Sequence, residues 1–191
     1  MNKAYVMAVT VFAAGSGALA FDAVDQMNNY QGNGGQGWSY LTSDFGASQT
    51  FMQTSNKISG ASVYLGNYWG SGNVTLSVYS TNPYNDGGAN PVPGASGTVY
   101  GSTATWADVF WSPVSITPNQ SYWLLFQGDN NEVITYTTGD TYTNGDMYWY
   151  GSPPGQNYYD FAFKTWAPVP APGAAALLGI SGLVASRRRR A

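Results

Sequence analysis

The sequence predicts an all-β fold: an antiparallel β-sandwich of jelly-roll form, flanked by an N-terminal signal helix and a short C-terminal hydrophobic helix. Three observations lead there. Many short runs alternate apolar and polar residues with period two, as a strand with one buried face does. Gly, Asn, Asp and Pro clusters separate those runs as turns. Unbroken apolar stretches are confined to the two ends of the 191-residue chain.

Residues 1–20 read as a secretory signal peptide. Lys3 is the positive start, Ala4 to Ala14 is apolar apart from Thr10, and Ala18-Leu19-Ala20 is a small-x-small cleavage site. A buried first helix is the alternative reading. Residues 21–166 form the β-sandwich domain. Phe21 to Gly37 holds few apolar residues and reads as an edge strand and loop, or as partly disordered.

The strands follow. Gln49 to Gln53 opens the core. Ala61, Val63 and Leu65 alternate with Ser62 and Tyr64, and Val74, Leu76 and Val78 with Thr75, Ser77 and Tyr79. Tyr84 to Gly97, rich in Gly, Pro and Asn, is expected to be a long surface loop. Gly97 to Tyr100, Val109 to Trp111, Tyr122 to Gln127, Val133 to Thr137, Met147 to Tyr150 and Phe161 to Lys164 complete the set. Gly70 to Asn73, Asn85 to Gly88, Thr117 to Asn119 and Asn144 to Asp146 carry turn chemistry.

Residues 167–191 have three parts. Val169-Pro170-Ala171-Pro172 is stiff and extended, Ala174 to Ala185 is apolar apart from Ser181, and Arg187, Arg188, Arg189 and Arg190 form a basic block. Twelve helical residues span about 18 Å against a hydrocarbon core of about 30 Å. Such a segment spans poorly, and its Arg block should stay cytoplasmic. A plain weak membrane tail with a basic stop is the alternative.

The run VPAPGAAALLGISGLVASRRRR resembles the PEP-CTERM sorting signal of exopolysaccharide-producing bacteria, with Pro-Ala-Pro where that family usually has Pro-Glu-Pro. The resemblance implies cutting near the motif by an exosortase-type transpeptidase, after signal peptidase has acted at the other end. The protein would be held only transiently in the inner membrane by its tail, then displayed at the cell surface or released. The body, through ASQTFMQTSNKISGASVYLGNYWGSGNVTLSVYST and SPVSITPNQSYWLLFQG, resembles bacterial choice-of-anchor domains. That resemblance implies a β-sandwich and supplies no binding or catalytic residue.

Composition narrows the chemistry. With no Cys and no His, there can be no disulfide, thiol nucleophile, Ser-His-Asp triad or zinc site built on those residues. The body holds ten acids and only two bases, Lys57 and Lys164, a net of −8. Nucleic acid is therefore not an expected partner. A glycosidase needs two carboxylates at a set spacing; most acids here lie in Gly/Asn turns, where exposure keeps them ionised. We expect no enzymatic activity.

The chain is rich in aromatics: 15 Tyr, 7 Trp and 8 Phe. Tyr68-Trp69 and Tyr148-Trp149-Tyr150 adjoin Gly-rich segments, with Asn67, Gln156 and Asn157 near in sequence. Aromatic planes stack on the C–H faces of sugars while amides pair with hydroxyls, so these are candidate carbohydrate-binding residues. The same rings could instead fill the core or form cross-strand pairs. No cofactor is expected beyond a candidate structural Ca²⁺. Its oxygens would come from Asp129, Asn130, Asn131 and Glu132, or from Asp140, Thr141, Asn144 and Asp146. Asn and Asp are also ordinary turn formers.

The expectation is thus an exported surface or matrix protein that binds extracellular polysaccharide. The rivals are a structural coat subunit making protein contacts and a jelly-roll glycoside hydrolase.

Overall fold

A computed structural model describes residues 22–29, 37–43, 46–66, 71–84, 89–129, 132–149 and 159–169, and the backbone alone for 37–40. Both expected end helices lie outside the described residues. So do Ala18, Ala20, Asn67, Tyr68, Trp69, Asn130, Asn131, Tyr150, Gln156, Asn157 and the tail from Pro170 onward.

Every regular element among the described residues is a strand. The strands are β1 (Asp22–Asn28), β2 (Gly37–Tyr40), β3 (Ala47–Met52), β4 (Lys57–Tyr64), β5 (Gly72–Tyr79) and β6 (Pro91–Gly101). They continue with β7 (Trp106–Ser115), β8 (Ser121–Gly128), β9 (Val133–Thr137), β10 (Met147–Trp149), β11 (Asp160–Phe161) and β12 (Phe163–Pro168). One sheet has the order β1-β12-β4-β7, a second β10-β3-β8-β5-β6, and a small third β11-β9-β2. All pairings are antiparallel. Residues Asp22–Val169 form one compact unit.

Inward residues of the two larger sheets make one core. Val74, Leu76 and Val78 from β5 and Tyr122, Leu124 and Phe126 from β8 join Ala61 and Val63 from β4, Val109 from β7 and Phe163 from β12. Their period-two spacing puts each set on one side of its strand. Burying a large side chain completely is worth roughly 1.5–3 kcal/mol, and Phe51, Phe126, Phe161 and Phe163 are all buried completely. Edge-on ring contacts tie the layers, with Phe126 and Phe161 centroids 5.5 Å apart and Tyr142 and Phe163 5.0 Å apart.

The segment after residue 21 is an edge strand, β1, bulged at Asp25. Asp25 accepts hydrogen bonds from the backbone amides of Thr54 and Ser55, both at 2.8 Å, and from the Thr54 hydroxyl at 2.9 Å. Burial pushes the Asp25 pKa up, but these bonds and one from Gln26 outweigh it and hold it below the ordinary value.

Two expectations are corrected. The long surface loop expected over Tyr84 to Gly97 ends early, because β6 begins at Pro91. This strand is at the sheet edge and pairs only with β5, so Pro91 and Pro93 remove no ladder bond that a neighbour needs. Its pairing jumps from Ser77↔Ser96 to Tyr79↔Pro91, and the extra residues include Gly94 at φ +81°. The run around Phe161 and Phe163 is two strands, not one. The Ala162 amide donates to Thr135 O at 3.3 Å and its carbonyl accepts from Tyr64 N at 3.1 Å, so the chain changes partners at that residue.

Strand β4 also departs from half-exposed alternation. Ser62 is fully buried and Tyr64 nearly so, although both face away from the core. Aromatic rings cover them: Trp166 Nε1 donates to Ser62 Oγ at 2.7 Å, and Trp106 lies edge-on to Tyr64 at 5.5 Å.

Candidate functional site

The outer face of the five-stranded sheet carries the first candidate surface. On β10, Met147 is in the core, and alternation turns Tyr148 to the opposite side. Tyr148 pairs with Ser48 and Ser48 with Leu125, in the strand that also carries Trp123. The Tyr148 and Trp123 ring centroids are 4.2 Å apart, with planes tilted by 53°. Trp123 stands in register between Thr50 and Tyr79. Further along the same face, Ser77 and Ser96 share a hydroxyl hydrogen bond of 2.7 Å, as do Thr75 and Thr98. Tyr84 donates its hydroxyl to Gly46 O at 2.8 Å, and burial pushes its pKa up. The face thus combines half-buried rings with an array of hydroxyls.

Trp149 points the other way. It packs against the core, edge-on to Tyr136 at 5.1 Å, and its buried Nε1 has no partner among the described residues. Of the five aromatics expected to bind sugar, Tyr148 therefore lies on an outer face and Trp149 does not. Tyr68, Trp69 and Tyr150 fall outside the described residues.

The outer face of the four-stranded sheet carries a second aromatic surface. Lys164 Nζ stands 3.8 Å from the Trp106 ring centroid and 5.8 Å from that of Trp166. Trp166 in turn lies 5.3 Å from Phe110. A side chain at Gly60 would collide with Val109 O and Phe110, so the bare backbone there lets the rings lie close. Phe110 is 52% exposed, Met27 46% and Val24 40%.

Sequence reasoning singled out neither Trp123 nor the Trp106–Phe110–Lys164–Trp166 set. A signal existed: Tyr122 and Leu124 point inward, so Trp123 must point outward, and Phe163 and Thr165 put Lys164 and Trp166 outside in the same way. Grouping aromatics by adjacency in the chain obscured what grouping by face reveals.

The acidic segments differ in character. Asp160, buried at the start of β11, accepts from Gln49 Nε2 at 2.9 Å and from the Thr141 and Tyr142 amides, both at 2.8 Å. Burial raises its pKa and these bonds offset only part of that. Asp160 therefore pins the Asp140 to Asp146 segment to the sandwich. Asp146 has its own pKa raised by burial and, secondarily, by Asp140. Glu132 is fully buried; its Oε2 accepts from Asp129 N at 2.9 Å, while its Oε1 has no hydrogen-bond partner. Burial pushes its pKa up to about 7, with the adjacent Asp129 carboxylate adding to the shift. Among the described residues no three His, Cys, Asp or Glu side chains group together.

No protein-family model matches the chain, and no curated protein sequence matches it significantly.

Proposed function

We propose that this is an exported, non-enzymatic surface or matrix protein that binds polysaccharide on the outer face of its five-stranded sheet. The observation that carries this reading is the Trp123–Tyr148 pair, with centroids 4.2 Å apart, flanked by the Ser77–Ser96 and Thr75–Thr98 hydroxyl pairs. Rings of this kind meet the apolar faces of a sugar, and neighbouring hydroxyls meet its polar edges. The acidic character of the body favours neutral glycans over anionic ones.

The fold is proposed to be a jelly-roll, a reading that rests on strand order. Leaving out β2, β9, β10 and β11, the eight remaining strands, numbered in chain order, form sheets ordered first-eighth-third-sixth and second-seventh-fourth-fifth. Two interlocked Greek keys produce that order. The non-enzymatic reading is supported by Glu132: the acid with the most raised pKa is buried beneath the surface, out of reach of a glycan.

Export rests on the signal segment and the PEP-CTERM-like tail. Signal peptidase and an exosortase-type enzyme would remove both ends, leaving the sandwich at the surface or outside the cell. Mass spectrometry of protein recovered from cells tests this, and an uncut chain in the cytosol overturns it. Binding is tested by titrating neutral polysaccharides against the protein and its Trp123→Ala variant. Binding that Trp123→Ala leaves unchanged would overturn the assignment to this face.

A second reading, a coat subunit held by protein contacts, is favoured by the other sheet. Phe110, Met27 and Val24 expose apolar surface beside Trp166 there. Concentration-dependent assembly abolished by Phe110→Ser, without any glycan binding, would favour it.

A further inference from the structure

We propose that Asn144 is a site of spontaneous deamidation, held in check by the contacts that fix the chain on either side of it and converted only when this segment lifts off β3. Asn144 is exposed, lies in a turn and is followed by Gly145. With no Cβ on residue 145, the amide nitrogen there reaches the Asn144 carboxamide with little hindrance. The packing demands that glycine, because a Cβ on it would overlap the Thr50 carbonyl oxygen. The close approach to β3 thus brings in the residue that makes Asn144 reactive.

The step needs no oxidant and no co-reactant except water. Gly145 N bonds to Asn144 Cγ, the Cγ–Nδ2 bond breaks, and the Gly145 amide proton leaves with Nδ2 as ammonia. Water then opens the cyclic imide at either carbonyl. Opening at Cγ gives aspartate at 144. Opening at the main-chain carbonyl gives isoaspartate, in which the backbone runs through Cβ and Cγ and is longer by one carbon.

The fold restrains this chemistry from both sides. The Thr141 and Tyr142 amides donate to Asp160 Oδ2, both at 2.8 Å. After the turn, Asp146 N donates to Thr50 Oγ1 at 2.7 Å and Thr50 N donates to Asp146 O at 2.9 Å. The nucleophile is itself engaged, since Gly145 N donates to Tyr142 O at 3.3 Å. Ring closure must rotate the Asn144–Gly145 peptide, and Gly145 has no room to move against Thr50 while these bonds hold. An isoaspartate adds its extra carbon between two fixed points. The Thr50 side should give way, because Asp160 is buried whereas β10 beyond Asp146 is a three-residue strand at the sheet edge. The modification would therefore loosen β10 from β3.

The test uses the whole purified chain, incubated at constant pH and temperature either folded or in guanidinium chloride. Peptide mass spectrometry follows residue 144 over time, with aspartyl and isoaspartyl peptides separated by chromatography. Conversion in the folded chain should be roughly tenfold slower than in denaturant, or slower still, as for a segment whose closed form is favoured by about 1.4 kcal/mol. Thr50→Val removes the hydroxyl that holds the Asp146 amide; it should speed conversion in the folded chain about fivefold, the effect of losing one hydrogen bond, and leave the rate in denaturant unchanged. The isoaspartyl form, isolated from aged protein, should exchange its Thr50 and Asp146 amide hydrogens faster than Asn144→Asp, which carries the same charge on a normal backbone. Equal rates in the folded and denatured chains would overturn the proposal, as would an Asn144 that does not convert in denaturant. A folded-state rate that Thr50→Val leaves unchanged would also overturn it. Should that variant fail to fold, the wild-type rates and the exchange comparison decide.

Discussion

Gln49 clasps the backbone and side chain at the head of β11: its Nε2 donates to Asp160 Oδ1 at 2.9 Å while its Oε1 accepts from the Phe161 amide at 3.0 Å. Both residues are buried, so these bonds satisfy polar atoms that water does not reach. Asp160 extends the grip to the Thr141 and Tyr142 amides. Replacing Asp160 by Ala would orphan those two amides and leave Gln49 Nε2 only its longer bond to Thr50 O at 3.4 Å. A loss of about 3 kcal/mol or more is expected, read as a lower urea midpoint at unchanged slope.

Gly145 is required by a close approach, not by a turn conformation. A Cβ there would overlap the Thr50 carbonyl, where Thr50 N donates to Asp146 O at 2.9 Å and Asp146 N to Thr50 Oγ1 at 2.7 Å. Gly145→Ala should push this segment off β3 and cost about 1–3 kcal/mol. Hydrogen exchange should show faster exchange at the Thr50 and Asp146 amides.

Stability should depend on pH with a definite sign. Glu132 has its folded pKa raised from 4.5 to about 7, so the folded chain holds this proton more tightly than the unfolded chain. Its contribution is complete below pH 4.5, declines as pH rises through about 7 and is then constant. Asp160, also raised, acts in the same direction starting from 3.8. Asp25 is lowered and acts oppositely, contributing above 3.8 and losing that contribution as pH falls through its folded value. The unfolding free energy should fall between pH 4.5 and 7, and E132Q should remove most of that slope. An unchanged slope in E132Q would contradict this.

The two outer faces can be separated by mutation. Trp123→Ala should reduce polysaccharide affinity roughly five- to a hundredfold, taking a sugar–aromatic stacking contact to be worth, like a base–aromatic one, about 1–3 kcal/mol. Phe110→Ser should leave that affinity unchanged. Calorimetry on both variants checks the contrast.

Much of the fold was legible because strand alternation is a local property. Val74, Leu76 and Val78 face the core as their spacing predicts, and Val133 to Thr137 is a strand with the expected bounds. Adjacent Tyr148 and Trp149 take opposite sides for the same reason. Pro91 and Pro93 misled because proline excludes a central strand but not an edge, and position at the edge is not written in the run itself.

Pairings between distant residues were not legible. Trp123 meets Tyr148 only because β3 lies between β8 and β10. Glu132 became a buried, partly unsatisfied acid only where Gly72 and Gly128 close over it. The chain's own order decides which side chains turn inward, since that depends on neighbours two residues away. Which strands lie side by side, and hence which rings and carboxylates meet, depends on contacts between segments distant in the chain that only the assembled sandwich brings together.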